Sequence, residues 1–171
     1  MDFSPLKRAL QSAPERSAAA AAVADREFFC FRLGELRLGV PSEFVREVVR
    51  AGVLTPLPRT PAFILGVCGH RGEVMPVIDL LRFLGKGEAR VGLRTRLFVG
   101  TTESYTAALA ADAIIGLRRI QVQHILPPPL GSDANAEHLI GVVTETADPQ
   151  PLTLLDFGRV MQSARNRAVG R

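Results

Sequence analysis

A chain of 171 residues that is 47% apolar can bury the core of one domain, or of two small ones that share a core. Its net charge of +4 invites a nucleic-acid reading, but residues 1–26 carry +1, residues 161–171 carry +3, and 14 bases balance 14 acids between 27 and 160. That neutral body has one Tyr and no Trp, so it lacks the cation clusters and stacking rings of a nucleic-acid surface, and no apolar run approaches the ~20 residues of a membrane span.

In chain order, residues 1–26 mix Pro5, Pro14 and scattered charges and read as a mobile tail with weak helix near 17–24. The run from Ala18 to Ala24 lacks the leucine-rich core of an export signal. The fold is expected to begin at Glu27. Phe29, Phe31 and Leu33 alternate with Cys30 and Arg32, then Leu36, Leu38 and Val40 alternate with Arg37 and Gly39, with Gly34-Glu35 between, which predicts a tight hairpin. A brief helical turn after Pro41-Ser42 leads into an apolar stretch, Val45 to Val49. Residues 53–63, with three prolines, form an ordered connector. Ile64 to Cys68 and Val74 to Leu80 form a second hairpin with a longer loop over Gly69–Gly72, and Leu80 to Leu84 a short helix.

The scheme then repeats. Leu97-Phe98-Val99 and Tyr105 to Leu109 echo the first hairpin, Ile125 to Pro129 supplies a second proline connector, and Gly141 and Asp156 stand where Gly66 and Asp79 stood. Two diverged copies imply two small barrels, about 27–92 and 93–160, that bury a seam neither could bury alone, followed by a basic tail at 161–171.

Few residues invite chemistry. Asp79 and Asp156 could be read as paired carboxylates, but each ends a strand and opens a helix, where an N-cap accounts for it without catalysis. His70, His124 and His138 are not spaced i, i+4, Cys30 and Cys68 lie in apolar runs without C-x-x-C spacing, and neither a metal site nor a disulfide is expected. Ser42, Ser104 and Ser132 have no G-x-S-x-G context, and there is no glycine-rich phosphate loop. No cofactor is expected. Gly66, Gly72 and Gly141 are expected to permit turns or close backbone approach. Arg71, between glycines, either reaches carboxylates on a partner helix or bonds its own barrel's carbonyls. Glu47 either pairs with a base, Arg71 included, or lies on a solvated strand face.

Over residues 27–160 the chain resembles the CheW family of chemotaxis coupling proteins. The resemblance rests on Phe29-x-Phe31-x-Leu33-Gly34-Glu35, Val45-Arg46-Glu47-Val48-Val49, the run TPAFILGVCGHRGEVMPVIDL from Thr60 to Leu80, LAADAIIGLRRI from Leu109 to Ile120, and the Ile140-Gly141-Val142 and Leu154-Leu155-Asp156 pieces. It implies a mainly β fold of two intertwined five-stranded SH3-like barrels with a few short helices and a C-terminal helix. It also implies a non-catalytic, cytoplasmic adaptor at receptor arrays, joining the regulatory domain of a CheA-type histidine kinase to the cytoplasmic tip of a chemoreceptor, with no nucleic acid and no direct membrane insertion. Arg71, Glu47, Val45 and Val48 match the family's receptor-facing segments, whereas Gly69-His70-Arg71-Gly72 stands where the family usually has Asn-Leu-Arg-Gly. Alternatives are an adaptor of this fold that has lost one partner, or a small barrel that binds an anionic polymer through its basic ends. An enzyme working through Asp79 and Asp156 ranks behind both.

Overall fold

A computed structural model describes residues 24–103, 105–128, 135–146 and 148–170. Most of the expected tail, including its weak helix, and Pro129 of the second connector lie outside the described residues. The elements are β1 (Asp25–Leu33), β2 (Leu36–Pro41), β3 (Val45–Arg50), β4 (Ile64–His70), β5 (Glu73–Ile78), α1 (Leu80–Phe83), β6 (Arg96–Thr101), β7 (Thr106–Ala111), β8 (Ala113–Gln121), β9 (Leu139–Glu145), β10 (Asp148–Leu155) and α2 (Phe157–Val169). The chain is mainly β, as expected.

The strands form two five-stranded sheets, ordered β8-β1-β2-β10-β9 and β3-β6-β7-β5-β4. This corrects the division at 92/93. One barrel is contiguous, β3 to β7, and the other is split, taking β1 and β2 from one end of the chain and β8 to β10 from the other. Each hairpin docks on the opposite half: β2 pairs parallel with β10, and β7 pairs parallel with β5. The exchange lets both faces of each hairpin be buried. In β1, Phe28 and Cys30 point into the split barrel with Leu152 and Leu154, while Phe29, Phe31 and Leu33 line the seam with Phe98, Leu109 and Leu155. In β6, Leu97 and Val99 fill the contiguous barrel with Met75 and Val77. Across the seam the Phe31 and Phe98 rings lie 4.7 Å apart and those of Phe29 and Phe98 5.3 Å, which adds ring contact to apolar burial.

The repeat is visible in atomic detail. Thr55 bridges Val67 as Leu126 bridges Val142, and the Asp79 amide donates to Phe63 O as the Asp156 amide donates to His138 O, both at 2.8 Å. Gly66 and Gly141 sit in strands rather than turns. A Cβ on Gly66, whose φ is +141°, would stand 2.5 Å from Thr55 O, and one on Gly141 would collide with Leu126 O.

Asp79 caps α1: Oδ1 accepts from the Leu81 and Arg82 amides at 2.9 and 3.2 Å, and Oδ2 from the Ala89 amide at 2.8 Å. Asp156 caps α2 through the Arg159 amide at 3.0 Å. The basic tail at 161–171 is corrected. With Phe157, Val160, Met161 and Ala164 at helical spacing and neither Gly nor Pro from Arg159 to Val169, α2 runs on to Val169 with all four side chains buried. Arg167 lies 4.4 Å over the Phe83 ring, and Tyr105 Oη donates to Met161 O, so the helix is fastened to the barrels.

Candidate functional site

Strands β3 and β4 are the two edges of the contiguous barrel, and Glu47 of β3 meets Arg71 at the end of β4. The β4–β5 hairpin pairs His70 with Glu73, leaving Arg71-Gly72 as a two-residue turn with φ of 50° and 82°. Two positive φ values are those of a type I′ turn, the connection whose twist suits a hairpin. The longer loop expected over Gly69–Gly72 is thereby corrected: Arg71 accepts a left-handed conformation that costs a non-glycine residue about 1 kcal/mol or more, and pairing extends through His70. Gly72 completes the turn.

On β3 burial alternates, so Val45, Glu47 and Val49 are half-buried while Arg46, Val48 and Arg50 are exposed. Glu47 Oε2 lies 3.3 Å from Arg71 Nη2 and 3.1 Å from His70 Nε2. His70 Nε2 is buried and makes no hydrogen bond, so its contact with the carboxylate is an ion pair when the ring is protonated. Arg46 Nη1 stands 3.6 Å from Glu73 Oε2 beside it. Arg71, 77% exposed, is the member most available to a partner.

The four residues expected on one face therefore divide. Glu47 and Arg71 meet; Val45 packs against the seam core, and Val48 faces outward on the other side of β3. Sequence reasoning missed His70, Glu73 and Arg46 as members of this cluster. The signal was the turn length, since only a two-residue turn sets His70 opposite Glu73.

The split barrel closes in the same way with charges exchanged. Glu145 of β9, which corresponds to His70 of β4, accepts from Arg118 of β8 at 2.5 Å and from Arg37 of β2 at 2.9 Å. Arg37 is buried, lies 3.3 Å from Asp148 Oδ2 and donates to Gln150 O at 2.8 Å, so this cluster serves the fold. Burial pushes the Cys30 thiol up to about 11 and raises that of Cys68. Among the described residues, no group of three or more His, Cys, Asp or Glu side chains converges on a point where a metal ion could sit, and no helix is long and apolar enough to cross a membrane.

The family model for the CheW-like domain matches residues 27–165. The chain is 65% identical to Protein FrzA of Myxococcus xanthus over 159 residues, 93% of this chain and 99% of that protein. It is 29% identical to the chemotaxis protein CheW of Rhizobium meliloti over 144 residues, 84% of this chain and 92% of that one. The solved scaffolding protein TtCheW of Thermoanaerobacter tengcongensis superposes with a TM-score of 0.69 at 26% identity, covering 81% of this chain and 88% of that one. With its exchanged hairpins, shared seam and edge strands clasped by Glu47 and Arg71, the chain belongs to the CheW family of chemotaxis scaffold proteins.

Proposed function

We propose that the chain is a non-catalytic cytoplasmic adaptor that couples the cytoplasmic tip of a chemoreceptor to the regulatory domain of a CheA-type histidine kinase. The observation that carries this reading is Arg71: a highly exposed guanidinium on a left-handed turn, oriented by Glu47 on the neighbouring edge strand. A guanidinium fixed in this way keeps donors free for a carboxylate on a receptor helix at a reduced ordering cost. Val45 supports the turn's neighbour strand from the seam. Val48 of β3 and Leu117 of β8, exposed apolar side chains at matching registers of two edge strands, suit the kinase, because strand edges offer both backbone pairing and apolar contact.

Calorimetric titration of the full chain with the kinase regulatory domain and, separately, with a receptor-tip fragment from its own organism tests the reading. Micromolar binding to both, with Arg71→Glu weakening only the receptor fragment, supports coupling. Failure to bind the kinase domain rejects it in favour of an adaptor with another partner.

A further inference from the structure

The last strand pair of the contiguous barrel sets Arg50 of β3 directly opposite Arg96 of β6. Like charges in that position repel and destabilise a sheet. The corresponding positions of the split barrel hold Arg119 of β8 and Glu27 of β1, register partners whose side chains meet at 3.7 Å. One geometry thus carries an ion pair in one barrel and two unanswered cations in the other.

The imbalance spreads to the loops at that end. Residues 48–60 and 89–102 hold Arg50, Arg59, Arg90, Arg94 and Arg96 and no acid. Among the described residues none of these five has a carboxylate at ion-pair distance, whereas Arg37, Arg46, Arg71, Arg82, Arg118, Arg119 and Arg159 each have one. The nearby acids are engaged elsewhere: Glu88 holds Arg82 at 2.5 Å, and Asp112, next to the Arg96 partner Ala111, accepts from the Gly34 amide at 2.7 Å.

Between the two loops runs an open apolar groove of about 580 Å³, walled by Val53, Leu54, Val91 and Leu93, with Gly52 and Gly92 among its lining residues. Val53 is 91% and Leu93 100% exposed, which burial within the monomer does not account for. Neither glycine is needed for the fold, since a Cβ on either would meet nothing within 4 Å and neither has a left-handed φ.

We propose that this end of the contiguous barrel is a second docking surface, for an acidic amphipathic helix of a partner protein. The helix lays its apolar ridge between Val53 and Leu93 and pairs its Asp and Glu flanks with Arg50, Arg90, Arg94 and Arg96. Charge complementarity selects this occupant: the cations are all arginine, whose planar fork matches a carboxylate. The tip carries none of the aromatic side chains that anchor loops at a lipid interface. The surface is independent of Arg71 and of the coupling reading.

The test uses the full chain and a helical peptide of about 18 residues with a leucine ridge flanked by glutamates, followed by fluorescence anisotropy. Binding is expected for this peptide and not for its lysine-flanked counterpart. Val53→Ser with Leu93→Ser, and Arg90→Glu with Arg94→Glu, are each expected to weaken it by at least about tenfold while the thermal midpoint stays within about 2 °C. Failure of the peptide to bind overturns the proposal. So does loss with the arginine variant alone, which would mean diffuse attraction between charges. Binding only to vesicles of phosphatidylcholine with roughly a third phosphatidylglycerol, or self-association that the Val53 and Leu93 variant abolishes in sedimentation, also overturns it, in favour of a membrane or a second copy.

Discussion

Glu47 on edge strand β3 holds Arg71 of the β4–β5 turn at 3.3 Å, so that one carboxylate ties the two edges of the contiguous barrel together and aims a largely exposed guanidinium. The turn conformation is the costly part, because Arg71 takes a φ of 50° where glycine or asparagine is the usual choice. An exposed ion pair contributes only about 0–1 kcal/mol, so it does little for stability. Its consequence is position.

A double-mutant cycle separates these roles. Glu47→Ala and Arg71→Ala are each expected to weaken binding of the receptor-tip fragment by about tenfold, and the double variant by little more than either alone, because the carboxylate acts through the guanidinium. Thermal midpoints should move by less than about 3 °C. Additive losses in calorimetry would show that Glu47 contacts the receptor independently.

Alanine at Gly66 or Gly141 is expected to cost about 2–4 kcal/mol, because each added Cβ meets a backbone carbonyl of the bridging connector, which cannot swing aside as a side chain can. Alanine at Gly72, where a Cβ meets nothing within 4 Å but φ is +82°, should cost only about 1 kcal/mol. Urea denaturation of the three variants gives the ranking directly, and a Gly66 variant as stable as wild type would mean that the Thr55 bridge yields freely.

The limits of the sequence reading follow the same division between local and distant information. The first hairpin, the Asp79 and Asp156 caps and the repeat were legible because turn residues, capping carboxylates and recurring patterns act over a few positions. The exchange of hairpins was not, since nothing within Leu36–Pro41 states that its free edge will pair with β10. Strand β8 gave no alternation to read, with Gly116 at φ +119° and two arginines in succession. The place of His70 beside Glu47 was not legible because the two-residue turn depends on Arg71 accepting a positive φ. Counting charge over residues 27–160 returned zero and hid the arginines gathered around Val53 and Leu93.

Neither cysteine should react in the folded protein. Burial holds the Cys30 thiol near 11 and raises that of Cys68, so little thiolate forms at about pH 8. A disulfide-exchange reagent should titrate no thiol in native buffer and two in denaturant. Rapid labelling of one thiol in native buffer would indicate local opening, at the β4–β5 hairpin if that thiol is Cys68.

His138 makes stability depend on pH in a direction opposite to that of a paired histidine. It occupies the core position that Phe63 holds in the other copy, fully buried, with its ring 5.1 Å from Phe83, Nε2 3.0 Å from Ser163 Oγ and Nδ1 without a partner. Burial lowers its pKa below the ordinary 6.5; the Glu137 and Asp156 charges oppose that shift, and Arg167 and Arg159 reinforce it. The unfolded chain therefore takes up a proton near pH 6.5 that the folded chain refuses, and the stabilising contribution, complete above that value, falls as pH drops toward the folded pKa. His138→Phe removes this term at a constant packing cost. Its stability relative to wild type should be flat above about pH 7 and improve below about pH 6, with a slope of at most about 1.4 kcal/mol per pH unit. A difference that stays constant across urea titrations over that range would show that the folded protein protonates His138 as readily as the unfolded chain does.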